Sequence, residues 1–437
     1  MRGPGEILVV SCYELGRQPV AAADALARLE QAGFLPAALD ISVDKLDPAL
    51  LRRARLVAVS VPMHTALQLG VRVAAQARAA GVSRVAFFGL YATLNAEHLL
   101  AKHADFALGA EESLVQLAQA LERGTPYEAL ALGRGGPLPS RGALPQLSRY
   151  AQLELPGGAS RLVAAVEASR GCKHLCAHCP IVPVYRGRFV AVERSVVLAD
   201  IEQQIARGAQ HVSFGDPDFL NGPTHALKLA RELHERWPAL SFDATIKIEH
   251  ILQHAELFPE LVRCGLLFVT SAVESLSDEV LLALRKGHTA QDVPRALRVL
   301  RDAGAVMRPT LLPYTPWTKL RDLPALFDFA VEHDLIDAID PVQYTLRLLL
   351  PRGSAVLDFE ASPVWLRSFD DQAFSWRWEH PDPRVDALWH DSSQLMHARA
   401  GADPLEVFGE LRALAGSTGP APRPVRRTPR LTEPWFC

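Results

Sequence analysis

Leu162-Val163-Ala164-Ala165-Val166, followed shortly by Cys172-Lys173-His174-Leu175-Cys176-Ala177-His178-Cys179, decides how this chain is read. The first run is strand-like, and the loop after it holds three of the six cysteines at CxxxCxxC spacing. Cysteines that are few and clustered, in a reducing compartment, read as metal ligands and not as a disulfide framework. Three thiolates on one short loop can hold three irons of a [4Fe-4S] cluster and leave the fourth iron without a protein ligand. Chemistry can happen at that open iron. Cys12 and Cys264 read as ordinary core or near-core thiols.

Working outward, the strand before the cysteines opens a series of alternating strand and helix patterns. Helical spacing over 195–207, 224–236 and 290–303 is interleaved with apolar runs at 212–214, 242–248, 266–271, 306–312 and 344–350. Six strand signals, counting the first, predict a full or partial β/α barrel over 160–355, with functional groups at the strand carboxyl ends. The cysteine loop leaves its strand at that end.

Residues 1–122 show a second series. Ile7–Ser11, Ala37–Ile41, Leu56–Val61 and Val85–Gly89 are short apolar runs, separated by helical patterns at Val20–Gln31 and Leu67–Ala80. Continuous apolar runs between amphipathic helices predict a parallel sheet covered on both faces, a Rossmann-like domain that binds ligands beyond its strand carboxyl ends. Glycine and proline break any period over 123–159, which reads as a linker. Residues 356–412, with Trp365, Trp376, Trp378 and Trp389, read as a helical carboxyl-terminal cap, and 413–437 as a Pro- and Arg-rich tail. The fold class is α/β.

At 437 residues, 49% hydrophobic and 22% charged, the chain can bury cores for two or three domains. A net charge of −3 gives no general attraction to nucleic acid or to an anionic membrane. Arg423, Arg426, Arg427 and Arg430 read as a solvated tail. No signal peptide or apolar run of spanning length is visible, so the expected location is the cytoplasm.

The cysteine loop resembles the signature of the radical S-adenosylmethionine (SAM) superfamily, and the resemblance covers about residues 160–355. It implies that Cys172, Cys176 and Cys179 ligate a [4Fe-4S] cluster whose open iron chelates SAM, and that a reductant such as flavodoxin or ferredoxin supplies the electron. His178 stands where the family usually has an aromatic residue. The segment Phe214-Gly215-Asp216-Pro217-Asp218 is similar to the family's site for the methionine amino group, with Asp216 the stronger candidate and Asp218 the weaker. Lys247 and Glu249 end one strand and Glu274-Ser275 the next; these polar pairs are candidates for the ribose and carboxylate of SAM. The substrate is a small molecule or peptide that the sequence does not identify. A non-catalytic iron–sulfur or zinc protein, using His174 or His178, is the rival reading.

The amino-terminal domain resembles a cobalamin-binding domain, through Phe88-Gly89-Leu90-Tyr91-Ala92-Thr93-Leu94-Asn95 and Gly109-Ala110-Glu111-Glu112. That implies cobalamin as a further cofactor, and methyl transfer as an alternative activity. Yet the DxHxxG loop is absent; Ser11-Cys12-Tyr13-Glu14-Leu15-Gly16 stands in its place. Either cobalamin binds without a protein ligand to cobalt, or the domain binds something else. His64 follows a strand and is a ligand candidate near that pocket. Finally, Thr432-Glu433-Pro434-Trp435-Phe436-Cys437 looks like the start of the CUAEP or CCAEP tail of a radical SAM family, which makes Cys437 a candidate reactive thiol. If that resemblance holds, the sequence stops at a UGA codon for selenocysteine, and the nucleotides after codon 437 test it.

Overall fold

The structure is a computed structural model that describes residues 1–127, 136–358, 363–421 and 424–433. Cys437, Arg423 and linker residues 128–135 lie outside the described residues. Among those described, β1 (Ile7–Ser11), β2 (Ala37–Asp40), β3 (Leu56–Ser60), β4 (Arg84–Phe88) and β5 (Phe106–Leu108) form a parallel sheet in the order β2-β1-β3-β4-β5. Every residue of β1 and β3 is buried, because helices cover both faces. Ile7, Val9, Leu56 and Ala58 pack toward the helices Val20–Gln31 and Glu111–Arg123. Leu8, Val10, Val57 and Val59 pack toward His64–Ala79 on the other face. The strand order is that of a doubly wound sheet, whose crevice lies beyond the strand carboxyl ends.

A second sheet contains β6 (Gln152–Glu154), β7 (Ser160–Val166), β10 (His211–Phe214), β11 (Ser241–Thr245), β12 (Leu266–Glu274), β13 (Val306–Leu311) and β16 (Arg430–Leu431). A small ladder of β8 (Ser169–Gly171) and β9 (Phe189–Ala191), and the hairpin β14 (Leu366–Asp370) and β15 (Ser375–Trp378), stand apart from it. Strands β7, β10, β11, β12 and β13 are parallel neighbours in that order; β6 and β16 extend the β7 edge antiparallel. The barrel is therefore partial. Alternation along its strands separates two faces: Val212, Phe214, Phe242 and Ala244 join the helix-packed core, while His211, Ser213, Ser241 and Asp243 form a buried hydrogen-bonded group on the other face.

The sixth strand expected at 344–350 is not formed. Pro341–Thr345 is a 3-10 turn, and a lone bridge joins Arg347 to Tyr314. Tyr344 stacks on Phe327 with centroids 4.3 Å apart and packs edge-on to Phe408, so this apolar run is a buried plug and not a ladder partner.

The segment read as a linker contributes β6 and one fully buried guanidinium. Arg141 donates to both oxygens of Asp200 at 3.1 and 2.7 Å, to the Ala165 carbonyl at 2.8 Å and to Gln18 Oε1 at 3.2 Å. One side chain thus ties the linker to the first barrel strand, the helix Arg194–Ile205 and the amino-terminal domain. In the tail, Arg427 pairs with Asp337 and Arg430 with Glu154, where a solvated tail was expected.

In the Trp-rich region the helices Pro383–Ala398 and Pro404–Leu414 follow the β14–β15 hairpin. Phe408 and Leu411 join the helix-packed core of the barrel, while Trp365 and Trp378 pack with Ala177 of the cysteine loop. The hairpin tip reaches the other domain. Asp371 pairs with Lys102 at 2.8 Å, Phe374 enters the core beside His98, and the Ala373 carbonyl lies 2.6 Å from His64 Nε2.

Candidate functional site

The cysteine loop begins at Gly171, whose φ of 77° and packing admit only glycine: an added Cβ would stand 2.4 Å from Tyr185 and 2.5 Å from the Arg188 carbonyl. Asn221, after β10, clamps the loop start by accepting from the Lys173 amide at 3.3 Å and donating to the Gly171 carbonyl at 3.4 Å. Further along, the Ala177 amide donates to the Leu284 carbonyl at 2.9 Å. The loop is held from both sides at the carboxyl end of β7.

Cys172, Cys176 and Cys179 are all free thiols. They are close enough that each of the three contributes to the mutual electrostatics of the loop. Burial pushes the Cys179 thiol up to about 12 and raises Cys172, so in the metal-free loop these thiols are protonated. A bound cation would displace the protons, since metal ligation takes the thiolate. Cys12 lies in the amino-terminal core and Cys264 caps the helix Phe258–Arg263, so among the described residues no fourth cysteine joins the three. The donor set fits a cluster with three protein ligands.

Beside the loop sits a buried ion pair. Glu274 ends β12 at φ 63°, after a bulge, and its Oε1 lies 3.1 Å from Lys286 Nζ and 3.3 Å from His178 Nε2. Burial would raise the Glu274 carboxyl, but Lys286 and then His178 overcome it and hold the group at about 2. Lys286 is raised in turn, because Glu274, Cys176 and Cys179 outweigh its burial. An ammonium is therefore fixed where cluster thiolates gather negative charge. Ser275 is buried and turns the chain, its Oγ accepting from the Ser277 amide at 3.1 Å.

The remaining candidates differ in what they touch. Asp216 is buried, with both oxygens engaged by the Ala168 amide at 2.8 Å and the Ser169 hydroxyl at 2.6 Å; burial pushes it up to about 7. It braces the turn after β7. Gly215 is exposed, and its amide donates to the Val166 carbonyl at 2.8 Å. Asp218 is buried, accepts from the Leu220 amide at 3.0 Å and lies 2.8 Å from His250 Nδ1. Lys247 and Glu249 pair with each other at 2.9 Å, and Gly287 passes so close that a Cβ there would stand 2.5 Å from Glu249. His64, lowered by burial, begins the helix His64–Ala79 in the other domain and is engaged by Ala373. The structure thus gathers Asp218, Lys247, Glu249, Glu274 and Ser275 with the cysteine loop, and leaves His64 apart.

Sequence reading did not single out His250, Asn221, Lys286 or His288 as site residues. Burial pushes His288 down to about 4. A histidine at the first helical turn after a strand, as in Lys247-Ile248-Glu249-His250, was the available signal.

Residues 166–323 match the family profile described as the Radical SAM superfamily. Among curated proteins the chain is similar to tRNA-2-methylthio-N(6)-dimethylallyladenosine synthases: 27% identical over 172 residues to that of Haemophilus influenzae (strain PittEE), covering 36% of this chain and 35% of that one. The enzyme of Pseudoalteromonas atlantica is 28% identical over 213 residues, covering 45% and 42%. The chain therefore spans well under half the length of these curated relatives. In fold it is similar to the cobalamin-dependent SAM radical enzyme OxsB with aqua-cobalamin bound, at TM-score 0.71 and 12% identity over 94% of this chain and 71% of that one. It is also similar to the radical SAM methyltransferase TsrM from Kitasatospora setae, at TM-score 0.66 and 17% identity over 95% and 96%. The loop geometry and the partial barrel agree with the match of residues 166–323 to the Radical SAM superfamily profile, and the fold that joins this part to an amino-terminal doubly wound domain is the one shared with OxsB and TsrM.

Proposed function

We propose that the protein is a radical SAM enzyme acting on a small molecule or peptide. The observation that carries this reading is the set of three free thiols, with no fourth cysteine beside them among the described residues, on a pinned loop at the carboxyl end of a parallel half-barrel. Cys172, Cys176 and Cys179 would hold a [4Fe-4S] cluster, and the chemistry it would supply is the one-electron reduction that splits SAM at the bond between sulfur and the 5′ carbon into methionine and a 5′-deoxyadenosyl radical.

The chain's own residues supply position and charge. Lys286 offsets thiolate charge, and Glu274 fixes Lys286. Asp216 braces the loop, and exposed Gly215 lets the cosubstrate approach the backbone. Lys247 and Glu249 offer opposite charges to the carboxylate and ammonium of SAM. A low-potential donor such as flavodoxin or ferredoxin supplies the electron, and the enzyme works in the cytoplasm; among the described residues no helix is long and apolar enough to cross a membrane. The tRNA substrate named for the curated relatives is not carried over, because the similarity covers only 36% of this chain and 35% of that enzyme. Cys437 stays in this reading as a second reactive thiol, on the sequence resemblance alone.

Anaerobic reconstitution with iron and sulfide, reduction and addition of SAM test the proposal. Wild-type protein is expected to release 5′-deoxyadenosine or a 5′-substituted product, and Cys176→Ser to release neither. An intact cluster without any SAM cleavage would return the protein to the non-catalytic iron–sulfur class.

A second reading is favoured by the fold match over nearly the whole chain to OxsB, a cobalamin-dependent enzyme, and to TsrM, a methyltransferase also seen with cobalamin bound. The amino-terminal sheet offers a crevice of the right topology, and no free imidazole stands at the His64 position. The residues therefore fit cobalamin held without His64 as a cobalt ligand, with methyl transfer as the activity. Titration with cobalamin under reducing, anaerobic conditions decides this; absence of binding would sink methyl transfer and leave SAM cleavage untouched.

A further inference from the structure

Three side chains from three different segments converge beside the cysteine loop. His174 belongs to the loop itself, Asp218 follows β10, and His250 lies on the helix Ile248–Gln253 after β11. One ligating atom of each lies within 4.8 Å of the others. His174 Nε2 is 3.1 Å from His250 Nε2 and 3.9 Å from Asp218 Oδ2, and Asp218 Oδ2 is 2.8 Å from His250 Nδ1.

Asp218 and His250 are almost fully buried, at 2% and 1% exposure. Yet His250 Nδ1 has no hydrogen-bond partner among the described residues, although the carboxylate oxygen is so near. Asp218 Oδ2 accepts from the Lys247 amide at 3.4 Å, which leaves the buried His250 Nδ1 beside it without a hydrogen bond, a costly arrangement unless a cation lies against the pair. Ligands of a first-row divalent ion, bonded at about 2.0–2.2 Å, stand roughly 3–4 Å apart; Asp218 Oδ2 meets this against His250 Nδ1 at 2.8 Å and His174 Nε2 at 3.9 Å, while the 3.1 Å contact between the histidines is made by the other nitrogen of His250. The other oxygen of Asp218 accepts from the Leu220 amide at 3.0 Å, the kind of support that orients a ligating carboxylate.

We infer that His174, Asp218 and His250 form a second metal site, distinct from the three cysteines, for a divalent transition cation of the zinc or ferrous class. Two imidazoles and one carboxylate match the donor preferences of these ions and leave a coordination position open. The ion would tie the cysteine loop to the ends of β10 and β11. Asp218 then serves this ion and not the ammonium of SAM, and the inference stands whether or not SAM is cleaved.

Zinc chloride is the probe. In full-length protein carrying Cys172→Ser, Cys176→Ser and Cys179→Ser, so that the thiols cannot bind it, about one zinc per chain is expected to survive gel filtration, and ferrous ion is expected to compete for it. Adding His174→Ala, a change on a partly exposed loop residue, is expected to weaken binding at least tenfold; adding His178→Ala is not. The same stoichiometry, beyond cluster iron, is expected in wild-type protein with its cluster rebuilt, which guards against misfolding of the triple variant. Zinc absent from both preparations, or retained unchanged after His174→Ala, would overturn the inference.

Discussion

Glu274 and Lys286 show how much of the site rests on single buried charges. Removing one member of a buried pair leaves the other uncompensated, at a cost of about 3–5 kcal/mol. Lys286→Met is therefore expected to lower unfolding free energy by that order in urea denaturation, and a combined Glu274→Leu, Lys286→Met variant to regain much of the loss; a single variant as stable as wild type would show that the pair is dispensable. Both residues were visible in the sequence, but their partnership was not. It depends on a left-handed backbone at Glu274 and a chain return past Gly287, neither of which periodicity records. Glu14 makes a second residue-level case. Burial pushes its carboxyl from the usual 4.5 up to about 8. Between those values the folded protein holds a proton that the unfolded chain has released, so stability falls as pH rises through the window. Glu14→Gln keeps a neutral side chain throughout, and its Tm advantage over wild type is expected to grow from about pH 5 to about pH 8. A constant difference would contradict the shift.

At the scale of elements, the parallel strands were legible because burial on both faces writes an unbroken apolar run. Val20–Gln31 appears as the helix its spacing gave, with Gly33 just beyond its end. What the pattern hid were elements too short to carry a period: β5 at the edge of the first sheet, β6 inside the linker, the β8–β9 ladder, β16 in the tail, and the β14–β15 hairpin within a region read as helical. The hairpin is the larger omission, since Phe374 buries itself in the amino-terminal core while Trp378 donates from its indole to the Leu348 carbonyl at 2.7 Å near the cysteine loop. Phe374→Ala is expected to cost about 3–5 kcal/mol, as large aromatic truncations in cores do. Limited proteolysis is the check: cleavage at residues 370–374 should appear at protease levels that leave wild type intact, and equal resistance would show that the tip is not anchored there.

At the scale of the whole molecule, the two βα series predicted two α/β domains, and the structure joins them through Arg141, the hairpin tip and Glu433 of the tail, which accepts from the Tyr13 hydroxyl at 2.8 Å. Closure of the barrel was not legible, because the run at 344–350 is equally apolar as a buried plug or as a strand; Tyr344 against Phe327 decides it. The arrangement places the cysteine loop at the strand ends of the partial barrel, with the doubly wound domain attached to it. On the proposed function, one iron of a three-cysteine cluster stays open for SAM. Electron paramagnetic resonance of the reduced, reconstituted protein tests that most directly: addition of SAM is predicted to shift the signal of the reduced cluster, whereas a signal unchanged at saturating SAM would contradict the claim.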